Sequence, residues 1–326
     1  MDKNIEKMIA VVPSERQLKW QELEFYGFLH YGLNTYLEIE WGDGSAALDI
    51  LNPSDMDVEQ WIVSMKAAEM KGIVMFCKHH DGFCLWDTKT TSYNIMNTPY
   101  GKDLLKEVAD ACVKYDMKLG LYLSPWDRSH PAYGTESYND VFIQQLDEIL
   151  TGYGKVFCVW FDGACGEGKN GKKQRYDWER YYAFIREKQP EAVISVAGPD
   201  VRWCGNEAGW HRAQEWSVVP AKLMSAECVA ELSQQEDTEE FRAKQVNSTM
   251  EDLGSRKALE GAGPLAWYPC EVDTSIRPGW FYMEHDDNRI RPLDELLDIY
   301  LNTVGANANL ILNVPPCREG YFKKMT

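Results

Sequence analysis

Several acidic side chains in this sequence follow apolar, strand-like runs, where a carboxylate could reach a bound substrate. Asp162 comes directly after Val159-Trp160-Phe161 and precedes Gly163, so we expect it to project from the end of a strand. Further carboxylates expected at the same edge are Glu40, Asp127, Glu207, Glu215, Glu271 and Asp273. Hydrolysis of a glycosidic bond needs two such groups, one ionised and one protonated. An Asp in this position can also simply cap a turn, and spacing alone selects no partner for Asp162.

Histidines follow the predicted strand ends as well. The chain has six, and four of them fall at one edge of the predicted sheet: His30, His79, His80 and His130. A single histidine at a strand end is usually structural, whereas four at one edge indicate a functional surface.

Tryptophan is abundant, with 12 residues, and many of them lie near the same strand ends. A flat aromatic ring matches the apolar C–H face of a sugar, while His, Glu and Asn side chains can bind its hydroxyl groups. The tryptophans expected at this edge are Trp41, Trp86, Trp126, Trp160, Trp203, Trp210 and Trp280. Core packing also explains Trp61, Trp160 and Trp267, and it is the interpretation we adopt for these three.

These side chains require a fold that brings many strand ends together. Eight short apolar runs alternate with amphipathic helical stretches. The predicted strands are 25–31, 72–79, 118–125, 156–163, 192–198, 213–219, 265–272 and 309–316. Helices are predicted from Ser54 or Asp55 to Met70 and over 102–116, 138–151, 176–188 and 293–303.

Strands that are buried on both faces and separated by helices imply a parallel sheet, and eight such units predict an α/β protein with a TIM-like (β/α)8 barrel. The alternative is an open doubly wound sheet, but no Gly-rich phosphate turn follows the first strand. The barrel is expected to be irregular around strands 5 and 6, because the sixth run and the acidic stretch 226–262 fit the pattern poorly. We interpret that stretch as an irregular helical insertion, so that 1–326 forms one catalytic domain.

Composition excludes several classes of partner. The 326 residues carry 34 Lys and Arg against 51 Asp and Glu, a formal charge of −17, which disfavours nucleic acid and acidic membrane surfaces. No apolar run approaches the roughly 20 residues of a membrane span. No His and Cys spacing suits zinc, and we expect neither a metal nor a cofactor.

The N-terminal residues contain no recognisable signal peptide. We therefore expect a cytoplasmic protein, or an extracellular or periplasmic one if an export signal has been removed. The sequence leaves the oligomeric state open.

Seven motifs in this chain resemble those of a known enzyme family. Residues 28–32, 40–44, 78–86, 124–131 and 159–163 read FLHYG, EWGDG, KHHDGFCLW, SPWDRSHP and VWFDG. These motifs are similar to those of the family 29 glycoside hydrolases, the retaining α-L-fucosidases. Residues 198–207 (GPDVRWCGNE) and 271–280 (EVDTSIRPGW) resemble the branch that prefers α-1,3/1,4-linked fucose. The resemblance runs from about Trp20 to Pro316.

The resemblance implies a role for each matching residue. Asp162 matches the nucleophile and Glu207 the general acid/base of a double displacement, whose carboxyl groups should lie ~5–5.5 Å apart. The expected substrate is a fucosylated oligosaccharide of the Lewis type. Residues expected to bind it are His30, Glu40, Trp41, His79, His80 and Trp280 in the fucose pocket, Asp127 and Arg277 at the next sugar, and Trp86 and Trp126 from the aromatic group above.

The chain also departs from the family pattern. Family members usually carry an export signal and a C-terminal β-sandwich, neither of which is found in this sequence. We expect a barrel shortened at its C-terminus, with the eighth helix missing or vestigial. The alternatives are therefore a fucosidase of broader linkage preference and a catalytically weak carbohydrate-binding barrel.

Overall fold

Parallel β-strands form the centre of the molecule. The computed structural model describes residues 5–6, 9–225 and 252–324. Its strands are β1 (Phe25–Leu29), β2 (Gly72–Lys78), β3 (Lys118–Leu123), β4 (Val156–Phe161), β5 (Val193–Val196), β6 (Arg202–Trp203), β7 (Val218–Pro220), β8 (Leu265–Trp267), β9 (Cys270–Ser275) and β10 (Ala308–Asn313).

Eight of these strands build a nearly closed barrel. They are hydrogen-bonded in the order β5-β4-β3-β2-β1-β10-β9-β6, and every neighbouring pair is parallel. A parallel bridge between Ser195 and Val201 links the two ends of this sheet. The predicted TIM-like (β/α)8 barrel is confirmed.

The α-helices precede or connect the strands of the barrel. They are α1 (Glu15–Gln21), α2 (Leu33–Leu37), α3 (Val58–Ala67), α4 (Leu104–Lys114), α5 (Ser137–Gly152), α6 (Trp178–Lys188) and α7 (Leu293–Gly305). Short 3₁₀ turns occupy Leu48–Ile50, Ile95–Asn97, Ala221–Met224 and Glu284–Asp286. Helices α3 to α6 connect β1 through β5 in turn, and α7 connects β9 to β10. These five helices agree with the predicted ones to within a few residues.

Three of the crossover helices begin at an aspartate. Asp57, Asp103 and Asp177 each accept a hydrogen bond from the backbone N–H three residues further on, at the starts of α3, α4 and α6. Such a cap satisfies one of the donors that the first helical turn leaves unpaired. The first of these helices therefore starts at Asp57, and the prediction of a start at Ser54 or Asp55 was wrong by a few residues.

The structure corrects the region between β5 and β9. The sixth barrel strand is β6 and not the predicted run 213–219, whose last residues belong to β7. The run 265–272 is divided between β8, which pairs antiparallel with β7 outside the barrel, and the start of β9. The pattern missed β6 because this strand has two residues and follows β5 without a helix between them.

The predicted helical insertion 226–262 lies mostly outside the described residues. Its described part, 252–262, consists of bends and turns, so the helical prediction is wrong there. Trp61, predicted to be in the core, is fully buried. None of the helices within the described ranges has the length and apolarity needed to cross a bilayer.

Candidate active site

A cavity opens at the C-terminal edge of the barrel, where the ends of its parallel strands meet. His30 follows β1, His79 and His80 follow β2, and Asp162 follows β4, so three strands each bring at least one polar side chain to this cavity. The lining residues are Phe28, His30, Trp41, His79, His80, Tyr122, Trp160, Asp162, Gly163, Ala164, Val196, Trp203, Glu207, Asp273 and Trp280.

The carboxylate of Asp162 is oriented by two donors. The backbone N–H of Ala164 donates to Oδ1 at 2.7 Å, and the Tyr122 hydroxyl donates to Oδ2 at 3.3 Å. Burial, and next the charge of Asp162, raise the pKa of Tyr122 well above its usual value, so this hydroxyl keeps its proton and remains a donor. The two contacts hold the carboxylate at the cavity in one orientation.

Glu207 enters the same cavity from the loop after β6. The Trp280 indole Nε1 donates to Glu207 Oε2 at 3.1 Å. The loop is folded around the fully buried Asn206, whose Oδ1 accepts from the backbone N–H groups of Ala208 at 3.0 Å and Trp210 at 3.2 Å. The structure therefore brings Asp162 and Glu207 to one cavity from different strands.

Glu40 supports this arrangement from behind Trp280. Its Oε1 and Oε2 accept from the backbone N–H of Trp280 at 3.1 and 3.0 Å. Glu40 is not among the residues that line the cavity, although Trp41 and Trp280 are. Its carboxylate thus positions the segment that carries the indole bound to Glu207.

Of the other carboxylates considered from the sequence, Asp273 also lines the cavity. It accepts from the Trp203 indole Nε1 at 2.6 Å, and it is 2% exposed. Burial raises the pKa of Asp273 well above its usual value, and the charges of Glu271 and Asp162 act in the same direction. This environment favours the neutral form of the Asp273 carboxyl group.

Glu271 and Glu215 lie away from the cavity lining. Glu271 is fully buried, where it accepts from Trp160 Nε1 at 2.6 Å and from the Ser195 hydroxyl at 3.1 Å as well as from Tyr26. Burial raises the pKa of Glu271 to about 6. Glu215 is bound by two buried arginines, which keep its pKa below the usual value despite its own burial. Both carboxyl groups stabilise the fold beneath or beside the cavity.

Three of the four predicted histidines meet in the cavity, and all three are buried. Burial lowers the pKa of His30 to about 4 and that of His80 to about 3, and it lowers the pKa of His79 well below its usual value. All three imidazoles are therefore neutral near pH 7. His130 does not line the cavity; its Nδ1 accepts from the backbone N–H of Ala132 at 3.2 Å.

Besides Glu40 and Trp126, three residues predicted to bind substrate lie outside the cavity lining. The Trp86 ring is fully buried and donates to Glu148 on α5 at 2.8 Å. Asp127 is fully buried and forms an ion pair of 3.2 Å with Lys78. Arg277, 5% exposed, pairs with a neighbouring carboxylate at 2.7 Å, and its guanidinium lies over the ring of Tyr282. Their polar groups are taken up by protein partners.

The remaining tryptophans have different positions relative to the cavity: some form its wall, and others pack behind the residues that line it. Trp126 packs its ring against His80 and Trp41, with ring centroids 4.9 and 5.4 Å apart, so it supports residues that line the cavity. Trp160 is buried as expected for a core residue, but it also forms part of the cavity wall. Trp210 is half exposed and does not line the cavity.

Two residues important for the site were not singled out from the sequence. Tyr122 lies inside the third predicted strand, 118–125, where a tyrosine close to the strand end was the available signal. Asn313 ends β10, and its side chain contacts His30 at 2.9 Å. The contact partner of Asn313 is 283 positions away, so no local pattern indicates it.

No group of three or more His, Cys, Asp or Glu side chains is arranged to hold a metal ion in the part of the chain that the structure describes. The chemistry available in the cavity is that of carboxyl groups, neutral imidazoles, hydroxyls and indoles.

Comparison with known proteins gives one consistent result. The sequence profile of the alpha-L-fucosidase family matches residues 15–326. Alpha-L-fucosidase 1 of Arabidopsis thaliana is 38% identical over 322 residues, which are 97% of this chain and 58% of the plant protein. A Bacteroides ovatus relative of known crystal structure is 46% identical, with a TM-score of 0.87 over 99% of this chain and 55% of that chain.

A Ruminococcus gnavus GH29 fucosidase, solved in complex with fucose, is 31% identical with a TM-score of 0.78. The alignment covers 97% of this chain and 65% of the bacterial protein. The chain thus spans little more than half the length of the plant and Bacteroides relatives. Since the family profile and these relatives cover nearly all of this chain, it belongs to the alpha-L-fucosidase family, glycoside hydrolase family 29.

Proposed function

We propose that this chain is an exo-acting α-L-fucosidase that releases α-1,3/1,4-linked fucose from Lewis-type glycans by double displacement. The observation that carries the proposal is the meeting of Asp162 and Glu207 at one cavity, each oriented by its own donor, Tyr122 or Trp280. A protein that only binds a sugar has no need for two oriented carboxyl groups.

The proposed chemistry assigns one task to each carboxyl group. Asp162 attacks the anomeric carbon while Glu207 gives a proton to the leaving oxygen, so that a covalent fucosyl–enzyme forms. Glu207 then takes a proton from water, which attacks the same carbon and releases fucose with its original configuration. The neutral His30 and His80 accept hydrogen bonds from hydroxyl groups of the sugar, and the rings of Trp41, Trp160 and Trp280 pack against its apolar parts.

The linkage preference rests on the motifs GPDVRWCGNE and EVDTSIRPGW. The first supplies Trp203 and Glu207 to the cavity, and the second supplies Asp273 and Trp280. Residues of these two segments thus form one side of the cavity, next to the proposed acid/base, where the sugar that leaves must lie.

The experiment compares two variants on an aryl α-L-fucoside with a good leaving group, in the presence of azide. Asp162→Ala lacks the nucleophile, so azide should replace it and give the β-fucosyl azide. Glu207→Ala still forms the fucosyl–enzyme, so azide should give the α-fucosyl azide. Asp177→Asn, a helix cap outside the cavity, serves as the control that removes a carboxylate without loss of activity. Exchanged or identical products would refute the assignment of roles.

Linkage is tested by fucose release from a Lewis trisaccharide and from a 2′-fucosylated one. Release from the Lewis compound alone is the expected result. Equal rates would refute the linkage preference and favour a broader fucosidase. Binding of fucose without release from either compound would favour the carbohydrate-binding barrel.

A further inference from the structure

Two of the three histidines of the cavity, His30 and His80, are held in hydrogen-bond networks that determine which ring nitrogen carries the proton. A neutral imidazole has one N–H donor and one bare nitrogen acceptor, and the partner of one nitrogen decides the role of the other. His30 and His80 both line the cavity, and both use Nδ1 for a hydrogen bond inside the protein.

Asn313 determines which ring nitrogen of His30 carries the proton. The amide Nδ2 of Asn313 donates to the Ser275 hydroxyl at 2.9 Å and to the Trp280 carbonyl oxygen at 2.8 Å. A carbonyl oxygen can only accept, so the amide orientation is unambiguous and Asn313 Oδ1 faces His30 Nδ1 at 2.9 Å. Since Oδ1 can only accept, Nδ1 carries the proton of His30, and Nε2 is a bare acceptor.

The protonation site of His80 depends on Ser124. The Ser124 hydroxyl lies 2.9 Å from the Trp126 carbonyl oxygen, which can only accept, and 2.7 Å from His80 Nδ1. With its single proton directed at this carbonyl oxygen, Ser124 accepts from His80 Nδ1. Nε2 of His80 is left bare, 3.7 Å from Asp162 Oδ2. His80 Nε2 and Asp162 Oδ2 are then both hydrogen-bond acceptors, so no hydrogen bond can form between them.

We propose that Asn313 and Ser124 act as positioning residues that fix His30 and His80 as Nδ1–H tautomers, so that the cavity selects sugars whose hydroxyl groups donate to two bare Nε2 atoms. This inference rests on the proposed fucosidase function and specifies its recognition of fucose. Their buried position keeps both rings neutral at neutral pH, because burial lowers their pKa values to about 4 and 3. A sugar hydroxyl that lies between His80 and Asp162 can donate a hydrogen bond to either of these acceptors.

The first experiment reads the tautomers without any sugar. Long-range ¹H–¹⁵N spectra of the ¹⁵N-histidine-labelled protein at pH 7, assigned with single His→Gln variants of the six histidines, distinguish protonated from bare ring nitrogens. The expected result is a protonated Nδ1 and a bare Nε2 for both His30 and His80. A protonated Nε2 in either ring would overturn the proposal for that residue.

Ser124→Ala tests the mechanism of selection. It removes the acceptor of His80 Nδ1–H, so the proton should move to Nε2, where the Asp162 carboxylate attracts it. Ser195→Ala is the matched control, because this buried serine donates to Glu271 and not to a histidine. An unchanged His80 spectrum in Ser124→Ala would show that Ser124 does not set the tautomer, and a change in Ser195→Ala would show a general effect of the substitution.

The second experiment measures competitive inhibition by L-fucose and by its 2-, 3- and 4-deoxy and deoxyfluoro derivatives. Fluorine replaces a hydroxyl as an acceptor but cannot donate. At two or more positions, the deoxyfluoro sugar should therefore bind about tenfold more weakly than fucose, as weakly as the deoxy sugar. Deoxyfluoro sugars that bind like fucose would refute the proposal. Absence of inhibition by fucose itself would refute the proposed function, while the tautomers remain measurable by NMR.

Discussion

The indole of Trp280 donates a hydrogen bond of 3.1 Å to Oε2 of Glu207, and this contact joins the loop after β9 to the loop after β6. The two residues are 73 positions apart in the sequence. The contact gives the proposed acid/base a defined orientation, and the geometry of the leaving-group side of the cavity depends on it.

Replacement of Trp280 by Phe keeps an aromatic wall and removes the donor to Glu207. We expect kcat/KM to fall about tenfold, since a lost hydrogen bond to a catalytic carboxyl costs about 1–2 kcal/mol. The loss should be larger for aryl fucosides with a poor leaving group, because only these need the proton of Glu207. Steady-state kinetics on a leaving-group series measure this. Trp203→Phe is the control, because it removes the donor to Asp273 instead. Its loss of kcat/KM should not depend on the leaving group. An equal dependence on the leaving group in both variants would contradict the prediction.

Gly279 is required because Glu40 lies against it. A Cβ at this position would clash with Glu40 Oε1, so Gly279→Ala must displace the carboxylate that holds the Trp280 backbone. We expect destabilisation of about 1–3 kcal/mol and a clear loss of kcat/KM. Denaturant unfolding and kinetics measure the two effects.

Gly152→Ala is the matched control, because a Cβ at this residue, which ends α5, meets nothing within 4 Å. It should leave activity unchanged and stability equal or slightly higher. If Gly279→Ala has the same stability and activity as this control, neither property depends on the position of the Glu40 carboxylate.

The buried pair of Lys78 and Asp127 predicts a stability defect. Both side chains are fully buried, 3.2 Å apart, and Lys78 also donates to Tyr138 and Gln145. Asp127→Asn leaves the ammonium group without its counter-charge and should cost about 3–5 kcal/mol in unfolding free energy. The double variant Lys78→Met with Asp127→Leu should recover part of this. Unchanged stability, together with a raised KM for a Lewis trisaccharide but not for an aryl fucoside, would favour the sequence-based role of Asp127 at the next sugar.

Glu271 makes stability depend on pH. Burial raises its pKa from 4.5 to about 6, so its favourable contribution is complete below pH 4.5 and is lost as the pH rises through 6. The size is about 2 kcal/mol, from 1.36 kcal/mol per pKa unit. Between pH 4.5 and 7, the unfolding free energy of wild type should therefore decline relative to that of Glu271→Gln, which stays neutral. Glu179→Gln, an exposed control on α6, should follow wild type. Parallel curves for wild type and Glu271→Gln would contradict the prediction.

Local sequence patterns were sufficient to predict the barrel and the residues that its strand ends bring to the cavity. The runs that became β1 to β5 and β10 are mainly apolar, because strands of a parallel barrel are buried on both faces. Asp162 and the three cavity histidines directly follow such runs, and the C-terminal ends of parallel strands must meet at one edge. The strand β6 was not predictable, because two residues carry no periodicity.

The tertiary structure alone decided which polar residues the cavity contains. Asp127 and Trp86 were expected at the same strand-end edge as Asp162, yet their polar groups turn to Lys78 and to Glu148 inside the protein. Asn313 reaches His30 from the neighbouring strand β10, and its amide determines a proton position that no spacing encodes. Sequence patterns report how each segment is buried, whereas the partner of a polar group depends on which distant segments lie beside it. The sequence by itself therefore determined the barrel and the edge that carries the site; the three-dimensional packing decided which side chains there face a ligand and which stabilise the fold.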